Sequence, residues 1–219
     1  MVKILSVENS TVEGSLSWLV DGEERATCRW SNHTRRDQRF FLELERMLEE
    51  QAIEVAEIDA LVVGRGPGNF SGMRTAQAAL QGLALPNKTP VIAISSGAAL
   101  AWACLQELEP GTSVSVVGDA RRETLWYGAF ELQQEQLTCL SDWRTVDVRD
   151  QSEILHHPTT HVVTSELERV QALFHVGELT SRYPEAAWLG RLALEQLHGR
   201  REAETLGPIY LHPAVASRT

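Results

Sequence analysis

Residues 58–84, IDALVVGRGPGNFSGMRTAQAALQGLA, decide the fold. Ala60 to Val63 is a short apolar run of the kind that makes a buried strand. Gly64 to Gly72 is a loop with four glycines and a proline. From Met73, small and apolar residues recur at three- and four-residue spacing, which predicts a helix to about Leu85. The glycines permit positive φ and close backbone approach, and Pro67 fixes one φ at about −65°. Ser71 stands where an N-cap hydroxyl would serve the first free amides of that helix. A glycine-rich strand-to-helix turn also invites a phosphate reading, since helix N-terminal amides attract anions. The common versions do not fit. Met73 and Arg74 follow Gly72 where a P-loop needs Lys and then Ser or Thr, and Asn69 stands where the dinucleotide fingerprint puts its third glycine. Taken alone, the loop reads as a structural turn, with a nucleotide cradle as the alternative.

Working outward, residues 3–7, 15–20 and 24–30 read as strands, with a hairpin turn at Asp21-Gly22. A helix is expected over residues 36–51, where Phe40, Phe41, Leu44, Met47 and Leu48 share one broad face. After the central stretch comes a strand at 91–94, then a helix capped by Ser95-Ser96 and running to about Leu108. Glu109-Pro110-Gly111 reads as a boundary. Beyond it, 113–119 and 124–132 read as strands, 137–148 is weakly β, 161–164 is a short strand and 166–174 a helix. After Pro184 an amphipathic helix carries Ala187, Leu189, Leu192, Ala193 and Leu197, and residues 207–213 are extended. Two lobes are expected: residues 1–109 with 184–200, and a smaller one of 110–183 with 201–219.

A chain of 219 residues with 43% hydrophobic and 23% charged content suits a globular protein that buries roughly 70% of its unfolded surface. No apolar run approaches the roughly 20 residues that span a bilayer, and MVKILSVENS lacks a secretion-signal pattern. Cys28, Cys104 and Cys139 are too few and too scattered for a disulfide framework or a zinc cluster, so a reduced, cytoplasmic setting is expected. Net charge is −10, and Lys3 and Lys88 are the only lysines. That weighs against a stand-alone nucleic-acid binder, which would need to neutralise phosphates. Arg35-Arg36 with Arg39, Arg121-Arg122 and Arg200-Arg201 read as solvated helix and loop ends, with a tRNA contact as the alternative.

GRGPGNFSGMRTAQAALQGLAL (residues 64–85), followed by PVIAISSGAALA (residues 90–101), resembles the TsaB family, also called YeaZ and filed in older naming with the glycoprotease or M22-peptidase-like proteins. DARRETLWYGAFE (Asp119 to Glu131) and GPIYLHPAVA (Gly207 to Ala216) agree, so the likeness runs along nearly the whole chain in order. It implies an α/β, ribonuclease-H-like fold of the actin, hexokinase and Hsp70 ATPase type, with two lobes and the second reduced. A three-strand meander followed by helix-strand-helix-strand-helix is the element order of that fold. The family also implies that the helix after Pro184 packs back on the first lobe.

By the same likeness, the chain is a non-catalytic subunit of the complex that makes tRNA N6-threonylcarbamoyladenosine. In that complex TsaC-type enzymes make threonylcarbamoyl-adenylate, TsaD transfers the group to tRNA, and TsaB holds TsaD in a working state and helps recruit the ATPase TsaE. TsaB pairs with TsaD, or with itself when alone, by packing its first two helices into a four-helix bundle. The residues expected at that contact are Phe41, Leu44, Leu48, Met73, Ala76, Leu80 and Leu83. Gly66, Pro67, Gly68, Gly72 and Arg74 would shape the turn that presents the second helix. Leu80→Arg is therefore expected to weaken TsaD binding while leaving the fold intact. tRNA is met only through the complex, and no membrane is involved.

Catalytic groups are hard to find. ATPases of this fold position metal and water with an Asp at the end of strand one. Here Glu8 holds that place, one methylene longer, so a ligand would shift by about a bond length; a structural carboxylate is expected. Asp119 beside Arg121 reads as a turn-stabilising carboxylate. TsaD carries two metal-binding histidines one turn apart on the helix after the meander, where this chain has Arg36 and Phe40. His157 and His161 are four apart, but Pro158, Thr159 and Thr160 between them argue against a helix. Ser71 and Ser96 read as caps, and the cysteines have no neighbouring His. No intrinsic cofactor or metal is expected, with ATP or ADP bound only within the complex. An active ATPase or phosphotransferase of the same fold and an M22-type metalloprotease are the rival readings.

Overall fold

The computed structural model describes residues 1–32, 39–156 and 159–211. Its first half opens with a meander: β1 (Lys3–Glu8), β2 (Glu13–Val20) and β3 (Glu23–Ser31). Asp21 and Gly22 make the tight turn between the last two with φ of 52° and 82°, a conformation Asp tolerates and Gly favours. There follow α1 (Arg39–Glu50), β4 (Ala60–Gly64), α2 (Phe70–Ala84), β5 (Val91–Ile94) and α3 (Ser96–Leu105). The sheet order is β3-β2-β1-β4-β5, with β1 antiparallel to β2 and parallel to β4, and β4 parallel to β5. This is the sheet expected of a ribonuclease-H-like fold.

The side-chain period of two assigns the faces. Leu5, Val7, Leu61 and Val63 point to one side, where they form a buried core with Phe40, Leu44 and Met47 of α1 and Ala76, Leu80 and Ala84 of α2. Trp30 of β3 joins this core, its ring pressed where Gly14 lacks a Cβ and 5.9 Å from Phe40.

A second sheet, ordered β10-β9-β6-β7-β8, follows: β6 (Ser113–Arg121), β7 (Thr124–Gln133), β8 (Gln136–Asp147), β9 (Thr160–Thr164) and β10 (Leu179–Ser181), with α4 (Leu167–Val170) after β9. Its core gathers Val117, Leu125, Tyr127, Val146, Ile154, Val162, Val170 and Phe174. The weak β signal of residues 137–148 is a full edge strand. The predicted helix over 166–174 is a single turn, and β10 was not expected at all. Asp119 makes the predicted local pair, accepting from the Arg121 amide and guanidinium, both at 2.7 Å.

α5 (Ala186–Leu197) returns to pack on β1, β2, β4 and β5, as the resemblance implied. Gly190 lets it approach: a Cβ there would lie 2.6 Å from Leu19 and 3.2 Å from the Ser6 hydroxyl, on the face opposite α1 and α2. Two compact units result, Met1–Leu100 with Tyr183–Pro208, and Ala101–Arg182 with the described residues after Pro208. Residues 201–208, expected in the second lobe, sit with the first unit because Glu204 and Gly207 bond to Ser95 and Arg65. Arg35, Arg36, His157, Pro158 and residues 212–219 lie outside the described residues. No described helix is long and apolar enough to cross a membrane.

Candidate functional site

The glycine loop after β4 is clamped onto the turn after β1. The Asn69 amide donates to the Ser10 carbonyl at 2.6 Å, and the Asn9 side chain donates to the Gly72 carbonyl at 3.2 Å. A Cβ on Gly68 would stand 2.3 Å from the Ser10 oxygen, and one on Gly72 would stand 2.1 Å from the Asn9 oxygen. Both positions therefore need glycine for close approach. Gly66 takes φ +87° and precedes a cis peptide bond to Pro67.

The N-cap of α2 is Asn69, not Ser71. Its Oδ1 accepts from the amides of Ser71 at 3.1 Å and Gly72 at 3.5 Å. The helix starts at Phe70 as a result, three residues before the apolar spacing suggested. Several amides of this loop and of the first turn of α2 are engaged inside the chain: Arg65 bonds to Ile94, Gly66 to the Ser96 hydroxyl, and Ser71 and Gly72 to the Asn69 side chain. The structural-turn reading of this loop fits these bonds.

Glu8 is fully buried at the end of β1. One carboxyl oxygen accepts from the Ser10 amide at 2.6 Å, while the other has no hydrogen-bond partner. Space for it exists because residue 64 is glycine; a Cβ there would lie 2.1 Å from Glu8 Oε2 and 2.6 Å from the Ser96 hydroxyl. Burial pushes the Glu8 carboxyl above its ordinary value, and Ser10 and Ser96 pull the other way only in part. A fully buried carboxyl whose charged form burial disfavours is a poorer metal ligand and base than a solvated one. Among the described residues, no cluster of three His, Cys, Asp or Glu could hold a metal ion. Cys28, Cys104 and Cys139 form no disulfide, and burial raises the Cys104 thiol and raises that of Cys28 to about 11, away from a reactive thiolate.

This carboxyl gives a pH signature. The unfolded chain gives up the Glu8 proton at about 4.5 while the folded chain retains it, so stability falls as pH rises from there toward the raised folded value. A Glu8→Gln chain lacks that loss. Its stability advantage over the parent is expected to grow with pH above about 4.5, in urea unfolding followed by circular dichroism. Parallel curves for the two proteins between pH 4 and pH 8 would show that Glu8 ionises freely in the fold.

The residues expected at a partner contact divide into two groups. Leu44, Ala76 and Leu80 are buried, with Leu80 and Ala76 at 0% exposure, because the strand faces of β1 and β4 already cover them, and Met73 is buried beside Gly66 of the loop. They hold this unit together and are not available to a partner. Leu48 and Leu83 are half-buried against the same core. Phe41 is 48% exposed. Three exposed apolar residues were missed: Leu42 at 60%, Phe70 at 44% and Leu85 at 76%. The FFL run at 40–42 carried a signal, since three consecutive apolar residues cannot all face one core. Phe70 was hidden by the misplaced helix start. Arg74 lies on the same helix as Phe70, its guanidinium 5.2 Å from that ring. The outer sides of α1 and α2, two helices on one face of one sheet, and the residue that ends α2 thus carry Phe41, Leu42, Phe70 and Leu85 as exposed apolar residues, while Met1, Val12, Leu197 and Tyr210 are exposed elsewhere.

A family model described as TsaD, tRNA N6-adenosine threonylcarbamoyltransferase, matches residues 33–170. The chain is 32% identical over 124 residues to the tRNA threonylcarbamoyladenosine biosynthesis protein TsaB of Haemophilus influenzae, covering 57% of this chain and 52% of that protein. It is 28% identical over 132 residues to TsaB of Escherichia coli, covering 59% and 55%. The chain thus spans about half the length of the curated relatives it matches. Among solved structures it is similar to YeaZ from Pseudomonas aeruginosa, with TM-score 0.78, 25% identity, and 96% and 100% of the two chains covered. It shares its fold with component A of the Acidaminococcus fermentans (R)-2-hydroxyglutaryl-CoA dehydratase, with TM-score 0.50, 9% identity, and 90% and 100% covered.

Proposed function

Because the chain belongs to the TsaB (YeaZ) family, we propose that it is a non-catalytic subunit of the machinery that makes tRNA N6-threonylcarbamoyladenosine. It binds a TsaD-type transferase through the outer sides of α1 and α2, pairs with itself through the same surface when alone, and helps the transferase recruit TsaE. tRNA is reached only through the complex. The observation that carries this reading is the exposure of Phe41, Leu42, Phe70 and Leu85 on two neighbouring elements whose inner sides are already buried. Large side chains covered at such a contact are each worth roughly 1.5–3 kcal/mol before association costs. The non-catalytic role is supported by Glu8, whose burial favours the protonated form, and by the internally bonded loop after β4. Any ATP or ADP is held by the assembled complex, not by this chain alone.

The test is reconstitution. With the transferase, TsaE, threonylcarbamoyl-adenylate and tRNA supplied, modification is expected to collapse when this chain is left out and to return when it is added. Full-rate modification without it would remove the proposed role.

A further inference from the structure

We propose that Arg74, backed by Phe70, is a carboxylate-binding anchor of the α1–α2 docking surface, and that the transferase-type partner places an Asp or Glu side chain against it. This rests on the docking role proposed for that surface and adds the chemistry of the group that meets it. Phe70 and Arg74 are four residues apart, so their side chains lie on one side of α2. Phe70 is 44% exposed, Arg74 is exposed, and the guanidinium stands 5.2 Å over the centre of the ring. That is within the roughly 6 Å at which a cation and a ring attract. The ring takes no hydrogen bond, so the N–H donors of the fork are left for an acceptor.

Most described arginines are matched with an acid of the chain, among them Arg29 with Glu185, Arg46 with Glu50, Arg121 with Asp119 and Arg182 with Glu107. At a net charge of −10, acids are in surplus. Arg74 nonetheless has none: among the described residues its guanidinium meets Phe70 and no carboxylate. α2 itself, FSGMRTAQAALQGLA, carries no Asp or Glu, and Arg74 is its single charged residue. An acid to match it is therefore left for an occupant of the surface to bring. The planar fork binds a carboxylate through two parallel hydrogen bonds, a stronger and more directional contact than a lysine makes. Arginine beside an aromatic ring is also the kind of side chain that dominates interface energetics. Holding the guanidinium over Phe70 beforehand lowers the side-chain entropy lost on docking.

The occupant is a protein and not a nucleic acid. One arginine on a helix with no other cation, in a chain this acidic, does not supply the several charges that phosphate neutralisation needs. A lone fork beside an exposed ring suits instead a contact with an apolar centre and few charges. A second copy of the chain is the competing occupant, and it is the poorer match. Its α2 has no acid to offer, and on its α1 Glu50 is already bonded to Arg46. Self-pairing is therefore taken to proceed without Arg74, and the two occupants are read separately.

The experiment titrates the full chain into a TsaD-type transferase by calorimetry, with no RNA present so that a phosphate cannot stand in for the acid. Self-association of the chain is followed in parallel by sedimentation. Arg74→Ala is expected to weaken transferase binding by about tenfold, while its urea midpoint and its self-association stay at the parent's. Arg74→Lys keeps the charge without the fork and is expected to recover only part of that loss. Arg74→Glu is expected to bind worse than Arg74→Ala, because it sets like charges face to face. The parent's advantage over Arg74→Ala is expected to shrink as salt rises from about 0.1 M to about 1 M, which shortens the screening length from about 10 Å to about 3 Å. Parent-like affinity in Arg74→Ala, equal binding by Arg74→Glu and Arg74→Ala, or a loss confined to self-association would each overturn the proposal. A parent chain that does not bind the transferase would remove the docking role and the anchor together, whereas a parent and an Arg74→Ala chain that bind alike would remove the anchor alone.

Discussion

A Leu80→Arg chain is expected to lose the cooperative unfolding transition of its first unit, not merely its affinity for a partner. Leu80 is at 0% exposure, in one core with Leu61 and Val63 of β4 and with Leu44 of α1. Removing it forfeits roughly 1.5–3 kcal/mol of apolar burial. The guanidinium that replaces it has no acidic partner among those core residues, and an uncompensated buried charge costs on the order of 3–5 kcal/mol more. Against a typical domain stability of about 5–15 kcal/mol, that total reaches the threshold for unfolding. Leu80→Ala, which leaves a cavity but no charge, is the graded control and is expected to cost about 2–5 kcal/mol. Urea denaturation followed by circular dichroism checks both. A Leu80→Arg protein with the parent's midpoint would mean that this side chain faces outward, as the family resemblance implied.

That correction shows where sequence reasoning stops. Periodicity identifies the apolar residues of a helix, and for α1 and α2 it did so well: Phe40, Leu44, Met47, Met73, Ala76 and Leu80 are all buried. It does not say which neighbour buries them. A sheet beneath the helix and a partner above it produce the same spacing, and here the sheet claims the best-spaced residues. The family likeness supplied a second neighbour and so pulled inner residues into the predicted contact, whereas the outer ones stand just off the regular spacing, at Leu42 and at the ends of α2.

The meander and the alternation after it were legible because each element is long and its turns carry Gly, Asp or Pro. The misses are short-range competitions that periodicity cannot see. Asn69 outcompetes Ser71 as cap because its carbonyl oxygen reaches two amides at once. The helix expected over 166–174 stops at Val170 because buried Gln151 takes the Leu173 carbonyl with its amide and accepts from the His175 amide at 2.9 Å. β10 is three residues long, too short to show a period of two, and is held by parallel pairing to β9. Glu8 was legible as a strand-end acid, but its full burial depends on Gly64, a residue read only as part of the loop.

The second large effect separates docking from folding. Phe41→Glu with Leu42→Glu places two charges on the outer side of α1, at positions 48% and 60% exposed in the chain alone. Glutamate is a good helix former, so the helix itself is expected to hold. Part of Phe41 touches Phe40, with ring centroids 4.9 Å apart, and its loss is expected to lower stability by about 0.5–1.5 kcal/mol. The urea midpoint should therefore move little. Affinity for the TsaD-type partner, measured by titration calorimetry, is expected to fall by roughly a hundredfold or more, since an aromatic anchor in a well-packed contact is commonly worth about 2 kcal/mol or more and a covered carboxylate adds desolvation cost. α1 already carries Glu43, Glu45, Glu49 and Glu50, so a partner opposing this acidic rim with basic groups would recover part of the loss. The same double change placed beneath the helix, at Leu44 and Met47, would remove the fold before any partner could be tested. Unchanged affinity in a folded Phe41→Glu, Leu42→Glu chain would leave the exposed side of α1 without the role proposed for it, and would move the search for the contact to Phe70 and Leu85 at the two ends of α2.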